Sequence, residues 1–126
     1  MVDLRIEPHD GYLSVTLAGA ISAGEVSAVL RRVIDEAAAR GTRRILLNFL
    51  ETQGNFSLTD RLNLAAQFVE DADLRRIQPK IAVAGRPPVI DGTAVMVIRH
   101  RGIHIQVFPT VHEALQWLGV EAPAEL

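Results

Sequence analysis

Asn48-Phe49-Leu50-Glu51-Thr52-Gln53-Gly54-Asn55-Phe56-Ser57-Leu58-Thr59-Asp60 carries the chain from its most hydrophobic strand into an amphipathic helix. The strand is read from Arg43 to Phe49, with Ile45-Leu46-Leu47 at its centre. The helix is read from Leu58 to Glu70, with Leu58, Leu62, Ala65 and Val69 as its inner stripe. Ser57 and Asp60 have the spacing of a capping box, in which a hydroxyl and a carboxylate satisfy the first free amides of a helix. Leu50 to Ser57 is then a strand-to-helix loop, eased by Gly54. In parallel α/β folds such loops, at the carboxyl ends of strands, hold most binding sites.

Upstream, Leu4 to Glu7 and Tyr12 to Ala18 alternate in polarity across the turn signal His9-Asp10-Gly11, the pattern of a hairpin. Ser22 opens a helix with Glu25 as its box partner. Val26, Val29, Leu30, Val33, Ile34 and Ala37 follow at helical spacing, and Gly41 ends it. Downstream, Asp71 to Gln78 is a connector with room for one helical turn. A strand spans Lys80 to Ala84, and Gly85-Arg86-Pro87-Pro88 forces a loop. A helix over Asp91 to Arg101 is rich in β-branched residues, so burial must hold it. His104 to Phe108 is a strand. Thr110 and Glu113 make a third capping box for a last helix with Val111, Ala114, Leu115 and Leu118 inward.

Strands alternating with helices in this way require parallel crossovers. The expected fold is α/β: a mostly parallel five-stranded sheet begun by an antiparallel hairpin. Several strands alternate instead of running solidly apolar, as in His104-Ile105-Gln106-Val107. That places four helices mainly on one face, and leaves the other partly open to solvent or a second copy. The 126 residues suit a single domain over 1–120 with a loose tail over 121–126.

Composition narrows the function. The formal net charge is −2, and the arginine pairs are short and interspersed with acids, which argues against a dedicated nucleic-acid binder. Cysteine is absent, which removes disulfides and thiolate catalysis. No apolar run approaches the about 20 residues that span a bilayer, and the N-terminus lacks a signal-peptide pattern, so a cytoplasmic location is expected. The four histidines do not share metal-ligand spacing, and no Gly-x-Ser-x-Gly elbow or glycine-rich phosphate loop occurs. The chain is expected to hold no metal or cofactor and to be no enzyme.

The functional candidates concentrate in the Leu50 to Ser57 loop. Glu51, Gln53, Asn55 and Ser57 offer polar contacts, and Phe56 is a hydrophobic staple, a partner anchor or the wall of a small apolar pocket. Ser57 has two readings, a plain helix cap or a phosphoacceptor at a helix N-terminus.

Three segments carry a resemblance to a known superfamily. They are Gly11 to Ser22, Arg44 to Phe49 with the loop and Asp60-Arg61, and Arg101 to Phe108 with Glu113 to Leu118. The chain resembles the STAS superfamily of sulfate transporters and anti-sigma-factor antagonists, and within it the stand-alone SpoIIAA-like branch. The resemblance implies a non-enzymatic interaction or regulatory module. In regulatory members an acidic residue ends the central strand, and a serine opening the next helix is phosphorylated to switch partner binding. Here Asn48 stands near the acidic position and Ser57 in the neighbourhood of the serine, without the flanking aspartate and glycine. An unidentified protein partner and a homodimer follow as expectations. The alternative is a small hydrophobic or lipid-like ligand near residues 50–57.

Overall fold

The computed structural model describes residues 2–120. The tail expected over 121–126 lies outside the described residues. The order is β1 (Asp3–His9), β2 (Tyr12–Ala20), α1 (Ala23–Arg40), β3 (Arg44–Gln53), α2 (Leu58–Val69), α3 (Ala72–Ile77), β4 (Lys80–Ala84), α4 (Thr93–His100), β5 (His104–Phe108) and α5 (Val111–Leu118). The sheet runs β1-β2-β3-β4-β5 in sequence order. β1 and β2 form the antiparallel hairpin, and every later pair is parallel.

Alternation along the strands divides the core in two. Leu13, Val15 and Leu17, Ile45 and Leu47, Ile81 and Val83, and Ile105 face the layer of α1, α2, α3 and α4. On the reverse face Tyr12, Leu46 and Ala82 meet Ala114, Leu115 and Leu118 of α5. Helices therefore lie mainly on one face, and the short α3, read in sequence only as room for a turn, makes a fifth. Trp117 seals α5 onto the sheet, packing against Phe108 and His104, with the Lys80 ammonium over its ring. The rest of the reverse face, beside β1 and β2, carries Arg5, Glu7, Ser14 and Thr16 on the same side as Tyr12. Its polarity suits water.

Four sequence expectations are corrected here. First, β3 does not stop at Phe49. It continues to Gln53 because β2 also continues, and Ala18, Gly19 and Ala20 pair with Glu51, Thr52 and Gln53. The register slips between Thr16↔Asn48 and Ala18↔Glu51, a bulge with one extra residue on β3. The Asn48 Oδ1 accepts the Leu50 N–H at 3.0 Å, and the Thr52 hydroxyl donates to the Phe49 carbonyl at 2.6 Å. These two bonds satisfy backbone groups that the bulge removes from the ladder.

Second, α2 keeps Ala65 and Val69 of its expected stripe inward but is rotated so that Leu58 and Leu62 leave it. Its buried residues are Arg61, Ala65, Phe68 and Val69, while Leu58 and Leu62 are 63% and 42% exposed. The bonds of Arg61, described below, fix that phase. Third, α4 begins at Thr93, not Asp91, because the Asp91 carboxylate turns to accept the Thr93 N–H at 2.9 Å and Gly92 takes a left-handed φ of 89°. The last helix also departs in detail. The Thr110 hydroxyl accepts the Glu113 N–H, but the Glu113 carboxylate returns to that hydroxyl and not to the backbone.

Candidate functional site

The carboxyl ends of β2, β3 and β4 are stitched into one rim. The Ile21 N–H donates to the Gln53 carbonyl at 2.9 Å. A Cβ on Gly54 would lie 2.9 Å from the Ile21 carbonyl oxygen, so only glycine lets these two segments approach so closely. Gly85 closes the third segment. Its N–H donates to the Phe108 carbonyl at 3.0 Å, and Ile90 packs directly over its Cα.

Arg61 joins the second segment to the third. It is 8% exposed, an unusual state for arginine. Its Nε donates to the Phe56 carbonyl at 3.3 Å, and its two terminal nitrogens to the Val89 and Pro88 carbonyls at 2.9 and 2.6 Å. Asp91 completes the set with an ion pair at 3.3 Å. The guanidinium carbon lies 5.6 Å from the centroid of the Phe56 ring. Phe56 and Arg61 occupy the two positions that a hydrophobic staple fills with apolar side chains. Here a cation–π contact takes that place. Sequence reading missed this role. The available signal was a cation at the staple position after an aromatic.

Ser57 caps α2 as expected. Its hydroxyl accepts the Asp60 N–H at 3.0 Å, and the Asp60 carboxylate accepts the Ser57 N–H at 3.2 Å. Ser57→Ala is expected to lower stability by about 1 kcal/mol. Ser57→Asp, itself a good cap, is expected to leave it nearly unchanged, which chemical denaturation will measure. The aspartate is therefore a poor mimic of phosphoserine at this site. A phosphate on Ser57 would gain from the helix N-terminus but face the Asp60 carboxylate. Arg61, the arginine nearest in sequence, is turned inward and engaged.

Of the other residues expected at the site, Glu51, Gln53 and Asn55 are exposed. Glu51 and Gln53 stand on the end of β3, not in a loop. Phe56 is half-buried against the main core cluster. A groove of about 700 Å³ lies elsewhere, between α1 and the junction of α2 with α3. At Gly54 a Cβ would also lie 3.4 Å from Phe56 Cζ and from Ile21 Cγ1, so these groups pack closely at that point of the rim.

The histidines are scattered. His9 stacks on Tyr12 at the hairpin turn, and His104 begins β5, both at the amino end of the parallel strands. His100 ends α4, and His112 lies on α5, across the sheet from Ser57. Among the described residues no three histidine, aspartate or glutamate side chains are grouped to hold a metal, and no helix is long and apolar enough to cross a membrane.

The electrostatics of the rim are mild. The Thr93 backbone N–H, its hydroxyl and the Arg61 guanidinium hold the Asp91 carboxyl below its ordinary range. Because the folded state favours the ionised form, this contribution is complete above about pH 4. It disappears as pH falls through the lowered folded value. Asp91→Asn is expected to flatten part of the acid limb of a stability-versus-pH curve, read by urea unfolding between neutral pH and pH 3.

No protein-family model matches the sequence, and no curated protein does. Solved structures do match. An anti-sigma factor antagonist from Mycobacterium paratuberculosis superposes with a TM-score of 0.58 at 17% identity, over 94% of this chain and 95% of that one. An uncharacterized protein with a SpoIIAA-like fold from Shewanella loihica PV-4 gives 0.53 at 16% identity, over 93% of each chain. The anti-sigma factor antagonist SpoIIAA in its unphosphorylated form gives 0.56 at 14% identity, over 93% of this chain and 98% of that one. Superposition over nearly the full length of all three, together with the hairpin-started sheet and its one-sided helix layer, gives this chain a SpoIIAA-like fold.

Proposed function

We propose that this chain is a non-enzymatic regulatory module that binds a protein partner through the solvent side of α2 and α4. One observation carries the reading. The exposed large apolar side chains among the described residues are Leu58, Leu62 and Met96, the last 59% exposed. Leu58 and Leu62 lie one turn apart at the start of α2, immediately after Ser57. Met96 lies in the first turn of α4, the helix packed beside α2. Burying one such side chain fully stabilises a complex by roughly 1.5–3 kcal/mol, so covering all three is a substantial driving force. Glu51, Gln53, Asn55 and Ser57 supply polar contacts at the same end of the sheet. Phe56 supports the surface from beneath, where it braces Arg61. Two of the structural neighbours are anti-sigma factor antagonists, a function of this kind.

Ser57 borders the apolar side chains. A phosphate there would break the reciprocal cap and place charge beside Leu58, so modification is expected to weaken partner binding. The double variant Leu58→Asp/Leu62→Asp tests the surface. Both positions are exposed, so its unfolding midpoint should stay near that of the parent. Co-purification of the partner from cells of origin should be lost. Light scattering at two concentrations separates a foreign partner from a second copy: a mass that doubles in the parent and not in the double variant identifies the surface as a homodimer interface. Retained partner binding by a folded double variant overturns the reading.

A further inference from the structure

The end of the sheet opposite the rim gathers cations that are scattered along the sequence. Two adjoining hollows, of about 500 and 470 Å³, lie where β2, β3, β4 and β5 begin. Between them they are lined by Arg43, Arg44, Arg75, Lys80, Arg101 and His104, and by no acid. Five of the 13 lysines and arginines thus meet at one place in a chain whose formal net charge is −2. Arg43, Gln78, Pro79 and His104 border both hollows, so the two form one basic concavity. Asp10, which precedes Gly11 in the hairpin turn, lines neither. Asp73 is paired with Arg76 at 3.0 Å.

Cations near helix C-termini need no ligand to explain them, and α1, α3, α4 and α5 all end here, while the last carbonyl of α2 meets Arg75. The magnitudes separate the two explanations. Five helix ends contribute at most roughly −2.5 elementary charges, and five side chains contribute +5. Three of the five cations are held in place. The Arg43 guanidinium donates to the Ile77 and Gln78 carbonyls at 3.1 and 3.4 Å. Arg75 Nε donates to the Val69 carbonyl at 3.3 Å, which leaves its terminal nitrogens free of that bond. Lys80 is fixed by the Trp117 carbonyl at 2.6 Å and the indole face. Gln78 adopts a left-handed φ of 48°, the only non-glycine residue with positive φ among those described, and turns the chain between α3 and β4 so that the hollows open. The Arg44 and Arg101 side chains are exposed and make no hydrogen bond or ion pair among the described residues. They have no structural partner to lose.

We infer that this concavity binds a small polyphosphorylated anion, at a site independent of the α2–α4 surface. Several fixed cations in a concave wall suit clustered phosphate groups, because guanidinium forks pair with two phosphate oxygens at once. No exposed phenylalanine, tyrosine or tryptophan lines the hollows, and the single imidazole, His104, is packed edge-on with Trp117, so there is no row of rings on which successive bases of a single-stranded nucleic acid would stack.

Inorganic tripolyphosphate is the probe, followed by isothermal titration calorimetry at physiological ionic strength. Saturable one-to-one binding is expected, with affinity falling from tripolyphosphate to pyrophosphate to phosphate. Arg44→Gln/Arg101→Gln should weaken it roughly tenfold while leaving the unfolding midpoint in place. Arg86→Gln, at the other end of the sheet, should have no effect. ATP and GTP as further titrants distinguish a nucleotide, which binds more tightly than tripolyphosphate, from a free polyphosphate, which does not. No saturable binding, an equal loss in Arg86→Gln, or tighter binding of a single-stranded RNA oligomer than of any of these small anions overturns the inference.

Discussion

Replacing Arg61 with alanine is expected to destabilise the protein by roughly 3 kcal/mol, a fall on the order of 10 °C in Tm. The side chain is buried and holds three backbone carbonyls from two segments, those of Phe56, Pro88 and Val89. Alanine leaves the Val89 carbonyl buried without a donor, and each such orphan costs about 1–3 kcal/mol. It also opens a void beneath Phe56. The ion pair with Asp91 adds little to this figure, because that carboxylate is well exposed and screened. Arg61→Lys should recover only part of the loss. A single ammonium cannot reproduce the fork that meets Pro88 and Val89 together. Thermal and urea unfolding of the two variants will show the order parent, lysine, alanine. A stable alanine variant would show that the rim is not held by this residue.

Gly85→Ala is expected to cost roughly 2–3 kcal/mol, for a different reason. The added Cβ would lie 2.5 Å from Ile90 Cγ1 and 2.9 Å from Ile90 Cβ. The second of these is bound to the backbone, so a rotamer change alone does not relieve it. The segment carrying Val89 must move, and the carbonyls that Arg61 holds move with it. The two effects therefore share a segment, and the double variant should lose less than the sum of the singles. Gly24 supplies the contrast. It lies in the first turn of α1 with nothing within 4 Å of its virtual Cβ, so Gly24→Ala should be neutral or stabilise by about 0.5 kcal/mol. Equal losses at both positions would point to backbone entropy and not to the contact with Ile90.

How legible these features were in sequence depended on the range of the interaction. The caps at Ser22 and Ser57 were readable because their partners lie three residues away and the chemistry is local. The spans of β4 and β5 were readable because proline and glycine bracket them. The end of β3 was not. Its extension to Gln53 depends on pairing with Ala18–Ala20, and on Asn48 and Thr52 bonding the bulge from within. Asn48 also shows what its position asks for structurally, which is a side-chain oxygen and not a charge.

The phase of α2 was the costliest misreading. Hydrophobic spacing placed Leu58 and Leu62 inward, because a burial pattern assumes that apolar residues choose the core. Arg61 takes the core position instead, since its hydrogen bonds to Pro88 and Val89 compensate its desolvation. The leucines are turned to solvent as a result. The residue that rigidifies the rim is thus the one that presents the apolar surface. The basic concavity was hidden for a related reason. Arg43-Arg44, Arg75 and Arg101 are separated by up to 58 positions in sequence, and only the parallel topology brings strand starts together.

The most direct measurement is site-specific photocrosslinking in cells of origin, with the crosslinker at Thr59 on the exposed start of α2 and, as a control, at His112 on α5 across the sheet. A working surface on α2 and α4 predicts one discrete adduct from position 59, none of the same mass from 112, and loss of the first in the Leu58→Asp/Leu62→Asp background. The same adduct from both positions, or an adduct from position 59 that survives the two aspartates, contradicts it.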